Sequence, residues 1–227
     1  MEEKAKHIGI ILDGNRRFAK KLLKEPWKGH DYGADKVEKV FDWCKELGLK
    51  ELTLYIFSMQ NFNRDQKEVE YLMDLFCRFF RSERIKNKIN NNQIKINFIG
   101  RTHLLTAKVQ EVIKKTKEET EKNTGFIANF AMAYGGREEI VDGVNKIIRE
   151  GKLKEVDEQT FSEYLQLQSQ PDLIIRTGGE KRTSNFLVWQ SWYSEWFFLD
   201  KYWPEFEKED LIKVLEEFNK RERRFGR

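Results

Sequence analysis

Short, largely apolar runs alternate with longer amphipathic stretches along almost the whole chain. The runs lie at residues 8–12, 52–57, 94–99, 126–133, 172–176 and 196–199. A run that is apolar at nearly every position reads as a strand buried on both faces, as in a parallel sheet. Between the runs lie patterns of helical period, such as Val37, Val40, Phe41 and Cys44 in a helix over 35–47 that Gly48 would stop. Further helices are expected over 66–88, 104–122, 138–150, 160–166 and 207–221. Strands alternating with helices predict an α/β fold: one domain over 1–227, with a central, mostly parallel six-stranded sheet flanked by helices. No linker, repeat or low-complexity tract interrupts the pattern.

Polar residues follow the strand ends, at Asp13, at Ser58 to Arg64, at Tyr134 and at Arg176. Ligands of open parallel sheets bind outside the carboxyl ends of the strands, so these separate segments converge on one edge. The most informative is the first, His7 to Phe18. Its strand ends at Asp13, Gly14 and Asn15 turn the chain, and Arg17, Lys20 and Lys21 place positive charge beside a helix start. Such a turn suits a diphosphate and a divalent cation. Helix-terminal amides face an anion, arginine forks a phosphate, and a carboxylate holds Mg²⁺ against it. The same residues also suit an ordinary strand-to-helix turn capped by Asp or Asn.

Other candidates carry similar pairs of readings. Arg176, Arg182 and Ser184 flank Gly178-Gly179, as a second anion site or as a solvated loop. His30 follows a glycine in a basic loop, and Asn61 and Arg64 follow a strand end. Glu195 stands among Trp192, Tyr193, Trp196, Phe197 and Phe198, where a carboxylate needs a partner or a metal. Tyr71, Leu72, Leu75, Phe76, Phe79 and Phe80 form an apolar helix face, equally a core or the wall of a lipid tunnel.

Composition narrows the classes. With 42 basic and 38 acidic residues the net charge is only +4, which fits a small anionic ligand and gives no case for nucleic acid. Charged residues reach 35% but aromatics reach 13%, so the chain is not disordered in character. No run of about 18 apolar residues suggests a membrane span. Met1-Glu2-Glu3-Lys4 lacks the apolar core of a signal peptide. Cys44 and Cys77 read as buried free thiols of a reducing, cytoplasmic compartment.

Taken together, the motifs resemble the cis-prenyltransferase family, the Z-isoprenyl or undecaprenyl diphosphate synthases. The resemblance rests on His7 through Asp13-Gly14-Asn15-Arg16-Arg17-Phe18-Ala19, Gly29-His30, Phe57-Ser58, Asn61-Phe62-Asn63-Arg64, Tyr134-Gly135-Gly136-Arg137, Arg176-Thr177-Gly178-Gly179-Glu180, Ser184-Asn185-Phe186-Leu187, Trp203-Pro204 and Arg221 to Gly226. It covers almost the whole chain. It implies a catalytic domain enclosing a hydrophobic tunnel, and head-to-tail condensation of isopentenyl diphosphate onto an allylic diphosphate, such as farnesyl or geranylgeranyl diphosphate, with Z geometry. By that likeness Gly14, Asn15, Arg16, Arg17, His30, Ser58, Phe62 and Arg64 hold the allylic diphosphate. Arg176, Arg182, Ser184, Arg224 and Gly226 hold isopentenyl diphosphate. Asp13, Asn15 and Asn61 serve catalysis, and Asp13 with Glu195, the latter across a dimer contact, serves Mg²⁺. It further implies a homodimer in the cytoplasm, peripheral to a membrane through its product. Non-head-to-tail coupling and a non-catalytic scaffold subunit are the alternatives. Arg16, Pro26, Met59-Gln60, Phe62 and Asp65 depart from patterns common in bacterial members and bear on the choice of primer. Ile56 and Phe126 are bulky residues whose position against the tunnel would shorten the product.

Overall fold

The computed structural model describes residues 4–221. Six strands form one sheet in the order β3-β4-β2-β1-β5-β6: β1 His7–Ile11, β2 Glu51–Ser58, β3 Lys95–Ile99, β4 Ile127–Tyr134, β5 Leu173–Arg176 and β6 Glu195–Phe198. Each of the five pairings is parallel. The expected sheet is therefore present, and each strand lies within a residue or two of its apolar run.

Strand periodicity of two sorts the side chains onto two faces. Ile8, Ile10, Leu52, Leu54, Phe98 and Phe130 join the larger core under α2 (Gly29–Glu46) and α3 (Gln66–Arg81). Ile11, Tyr55, Ile99, Ala131 and Ile174 face a smaller core closed by Phe186 and Leu187. The elements after β1 thus lie on one face and the loop after β5 on the other. Because β1 and β5 are neighbours, in register from Ile8↔Leu173 to Ile11↔Arg176, a crevice opens between their carboxyl ends. Asp13 and Arg176 stand at that switch point.

Two helices differ from expectation. The helix read over 35–47 begins six residues earlier, at Gly29. Gly29 and Gly33 look like punctuation in the sequence, but they are helical, and their missing side chains admit α1 (Asn15–Lys21). A Cβ at Gly29 would stand 1.9 Å from the carbonyl oxygen of Asn15, and one at Gly33 2.4 Å from its Oδ1. The long helix over 66–88 is broken at Ser82, whose extended ψ of 127° separates α3 from α4 (Glu83–Asn91). Continuous amphipathic period conceals such a break. The remaining helices are α5 Ala107–Thr120, α6 Gly136–Glu150, α7 Glu158–Glu163 and α8 Lys208–Lys220. Cys44 and Cys77 are buried free thiols, as expected.

Candidate active site

The chain leaves β1 through Asp13 and Gly14. Gly14 adopts φ 104°, a left-handed value that costs glycine nothing, and a Cβ there would meet Tyr202 at 2.7 Å. Thr177 Oγ1 donates to the Asp13 carbonyl at 2.8 Å, and the Trp203 amide donates to it at 2.9 Å. The turn is therefore clasped from two sides, and the carboxylate of Asp13 is left facing the crevice. Asp13 does not cap the helix, since α1 has no side-chain cap. Helix α1 spans only seven residues, so its dipole is modest and side chains carry the positive charge.

Arg176, 3% exposed, reaches over from β5 and donates to Asp13 Oδ2 at 2.8 Å. Its other terminal nitrogen donates to Ser184 Oγ at 2.7 Å and to the Arg182 carbonyl at 2.5 Å. Arg17 donates to Asp13 Oδ1 at 3.1 Å. Burial alone would push the Asp13 carboxyl up; the hydrogen bonds and charges of Arg176 and Arg17 outweigh it and hold the group below its ordinary range. Asp13 is therefore an anion at neutral pH. Ser184 and Asn185 take φ of 51° and 65°, a conformation uncommon for residues other than glycine. Tyr55 fixes this loop. Its ring stacks on Phe186 at 4.7 Å and its hydroxyl donates to the Ser184 carbonyl at 3.3 Å.

A second cation group lies across the crevice. Arg64 donates to Glu68 at 2.9 Å, Arg16 approaches the same carboxylate at 3.7 Å, and His30 Nε2 lies 4.0 Å from it. Burial, then the charges of Arg64 and Arg16, lower the His30 pKa to about 3, so the ring is neutral. Ser58 and Asn61 close a reciprocal capping box at the turn Met59–Asn63. Phe62 packs edge-on against Phe57 at 4.9 Å and is not part of the cavity lining.

Behind these groups opens a cavity of about 660 Å³, within the range of small-molecule sites. Asp13, Asn15, His30, Ser58, Asn61, Arg64, Arg176, Arg182 and Ser184 line its mouth, while Ile56, Leu72, Phe76, Phe79, Phe80 and Phe130 line its apolar depth. Phe126 does not line it; it packs at 5.8 Å from Phe41 in the core. Three buried atoms of cavity residues have no hydrogen-bond partner among the described residues: Asn15 Oδ1, His30 Nε2 and Arg176 Nε. Native structures rarely leave buried polar atoms unpaired, and three around one cavity are free to pair with a polar ligand.

Glu195 opens β6 opposite Leu173, at the amino edge of the sheet, away from Asp13, and accepts from Arg221 at 2.6 Å. One chain does not bring it to the crevice. Arg224 and Gly226 lie outside the described residues. Glu68 and Tyr55 are the residues that sequence reasoning missed. Only the Arg64/Glu68 spacing of four on a helix start hinted at the first. The second is indistinguishable from any strand tyrosine.

A cation-rich mouth with one carboxylate, at the switch point of a parallel sheet and above an aromatic-walled cavity, is the kind of site that suits a molecule with an anionic head and a hydrocarbon tail. Residues 11–226 match the family model described as "Putative undecaprenyl diphosphate synthase". The chain belongs to that family, the cis-prenyltransferases. It is 48% identical to a tritrans,polycis-undecaprenyl-diphosphate synthase (geranylgeranyl-diphosphate specific) of Methanopyrus kandleri, over all of this chain and 89% of that one. It is 47% identical to the protein of the same name from Pyrococcus abyssi, over 98% of this chain and 87% of that one. The fold superposes on lavandulyl diphosphate synthase from Lavandula x intermedia, solved with dimethylallyl diphosphate, with TM-score 0.93, 35% identity and 99% of both chains covered.

Proposed function

We infer that the protein condenses isopentenyl diphosphate head-to-tail onto an allylic diphosphate, each new double bond in Z geometry, and releases a polyprenyl diphosphate. The observation that carries this reading is the ionised Asp13 held between Arg176 and Arg17, with unpaired polar atoms around it and an apolar cavity behind. Geranylgeranyl diphosphate is the proposed primer, in keeping with the names of the archaeal relatives, and the whole chain serves as one catalytic domain.

Arg16, Arg64, neutral His30 and the Gly14–Asn15 turn face the allylic diphosphate; Arg176, Arg182 and Ser184 face isopentenyl diphosphate. Two anchored heads set the reacting carbons in register, an effect that can supply about 7–11 kcal/mol of the barrier. As the allylic C–O bond breaks, negative charge gathers on the leaving diphosphate, and the arginines are already oriented to receive it. Asp13 suits Mg²⁺: it is a hard, ionised oxygen donor at the mouth, and Mg²⁺ takes one or two carboxylates with phosphate oxygens and water. When bound, the cation would neutralise diphosphate charge. Among the described residues no cluster of three His, Cys, Asp or Glu side chains surrounds the site, so substrate oxygens would complete the shell. A carboxylate whose pKa is held down is a poor base. The proton lost on forming the new double bond therefore passes to a diphosphate oxygen, with Asn15 and Asn61 orienting the reacting groups.

Two copies are proposed to pair through the exposed apolar stripe Val141, Val144 and Ile148 of α6, together with Trp192. Pairing would carry Glu195 to the neighbouring site. Among the described residues no helix is long and apolar enough to cross a membrane; action in the cytoplasm, beside a membrane that takes up the product, is part of the proposal.

The test is incubation of the purified chain with labelled isopentenyl diphosphate, Mg²⁺ and primers of graded length, with products resolved by length and double-bond geometry. A ladder of Z-extended products, richest from the C20 primer, is expected. Absence of incorporation with every primer would overturn the reading, and branched or cyclopropyl products would overturn the head-to-tail part of it.

A further inference from the structure

The segment that joins the two walls of the cavity ends in an unusual tip. Helix α1, which carries Asn15, stops at Lys21, and the chain returns through the turn Pro26–Lys28 into α2, which carries His30. Between them Leu22 is 42% exposed and Leu23 is 96% exposed. Leu23 also adopts φ 56°, in the left-handed region that a leucine side chain disfavours. An apolar residue is thus held outward, in a conformation that glycine or asparagine would adopt more readily. One exposed leucine is ordinary; two adjacent ones at a strained tip are not.

The charge around the tip has one sign. Lys20, Lys21, Lys24 and Lys28 flank it along the chain, with Glu25 the one acid between residues 20 and 28. Among the described residues only Lys21 of the four meets a carboxylate, Glu205 at 2.8 Å. The ammonium of Lys24 lies 5.0 Å from the centre of the Tyr32 ring, and that of Lys28 lies 4.8 Å from the centre of the Tyr71 ring, contacts that orient charge without neutralising it. A short apolar wedge flanked by lysines, of which Lys20, Lys24 and Lys28 meet no carboxylate among the described residues, complements a surface with hydrocarbon beneath anionic head groups. It does not complement the polar rim of an ordinary protein contact.

We propose that Leu22 and Leu23 insert into an anionic phospholipid bilayer while Lys20, Lys24 and Lys28 contact its head groups, seating the cavity beside the membrane. The proposal rests on the membrane-peripheral reading above and names its surface. The end of α1 at Lys21 is about 7.5 Å from Arg16, five residues at helical rise, and the tip follows directly, so docking there brings the proposed diphosphate site close to the interface. A polyprenyl product would then pass into lipid without crossing water.

Flotation of the full chain with vesicles of phosphatidylcholine, or of phosphatidylcholine with 30% phosphatidylglycerol, tests this at low and high salt. Binding to the anionic vesicles only, weakened by salt, is expected. Leu22→Ser/Leu23→Gly should lower the vesicle partition coefficient about tenfold, and Lys20→Gln/Lys24→Gln about 25-fold, about fivefold per lysine. Glycine suits the left-handed φ, so the first variant should melt no lower than the parent. Its turnover of a short primer in detergent should be unchanged, and that arm is read separately from flotation. Equal binding of variant and parent, equal binding to neutral and anionic vesicles, or self-association of the parent lost in the variant would each overturn the assignment. A parent that floats with anionic vesicles but lacks prenyl transfer would instead overturn the proposed reaction alone.

Discussion

Gly29→Ala isolates the dependence of the proposed diphosphate loop on the spacing between α1 and α2. The added Cβ would lie 1.9 Å from the Asn15 carbonyl oxygen, 2.6 Å from its carbon and 3.2 Å from Ala19 Cβ. Restoring a contact distance of about 3.5 Å displaces α1 by about 1.5 Å. The neighbour is backbone, so no side-chain rotation absorbs the clash. Asn15 is the residue after the Asp13–Gly14 turn, and its displacement moves the loop proposed to face the diphosphate relative to Arg176. A misplacement near 1 Å costs about 100-fold in rate, equivalent to about 3 kcal/mol of transition-state stabilisation. Overpacking itself costs about 1–3 kcal/mol of stability, which lowers the melting midpoint by roughly 2–4 °C per kcal/mol for a chain of this size. Gly48→Ala is the control: it strains a φ of 74° but meets nothing within 4 Å, so it should cost stability without touching activity. Steady-state incorporation of isopentenyl diphosphate and thermal melts on the three proteins give the comparison. A Gly29→Ala enzyme within threefold of the parent in kcat/KM would refute the reasoning.

The other predictions concern charge and cavity shape. His30 ionises near 3 in the fold and near 6.5 in the unfolded chain, so the unfolded state binds the extra proton between those values, and stability is lost as pH falls from about 6.5 toward 3. His30→Gln should flatten that slope in melts taken between pH 4 and 7, and an unchanged slope would contradict the assignment of that loss to His30. Glu68→Gln leaves Arg64 without its buried counter-charge. Because Arg64 is 26% and Arg16 50% exposed at the side chain, the loss should be about 2 kcal/mol, below the 3–5 kcal/mol of a fully buried pair. Added diphosphate should restore the melting midpoint, and a midpoint that does not fall would contradict this account. Ile56→Ala should lengthen the product, since Ile56 lines the cavity; Phe126→Ala should cost about 3–5 kcal/mol of stability and leave product length alone.

The six strands, their parallel arrangement and the edge on which the candidate site lies are legible in the chain, because burial on both faces imposes a one-dimensional pattern of largely apolar runs. The Asp13-Gly14 turn and the Arg176 segment are legible for a related reason: each belongs to a local stretch whose chemistry is complete within a few residues. What depends on distance in space is not written that way. The helical start at Gly29 is hidden because its glycine answers to Asn15, a residue on another helix. Phe126 and Ile56 are both bulky residues of apolar runs, yet Phe126 fills the core just before β4 while Ile56 lines the cavity near the carboxyl end of β2. Phe62, in a motif that suggests substrate, turns to Phe57. Glu195 stands by Arg221 in the single chain, and only a second copy of the chain would change its neighbours. The sequence by itself determined the sheet and the chemical groups on its edge, since those follow from local pattern. The tertiary structure alone decided which groups share a charge, as Arg16, Arg64 and His30 share Glu68, because Coulomb and steric terms depend on separation in space, which folding sets independently of separation along the chain.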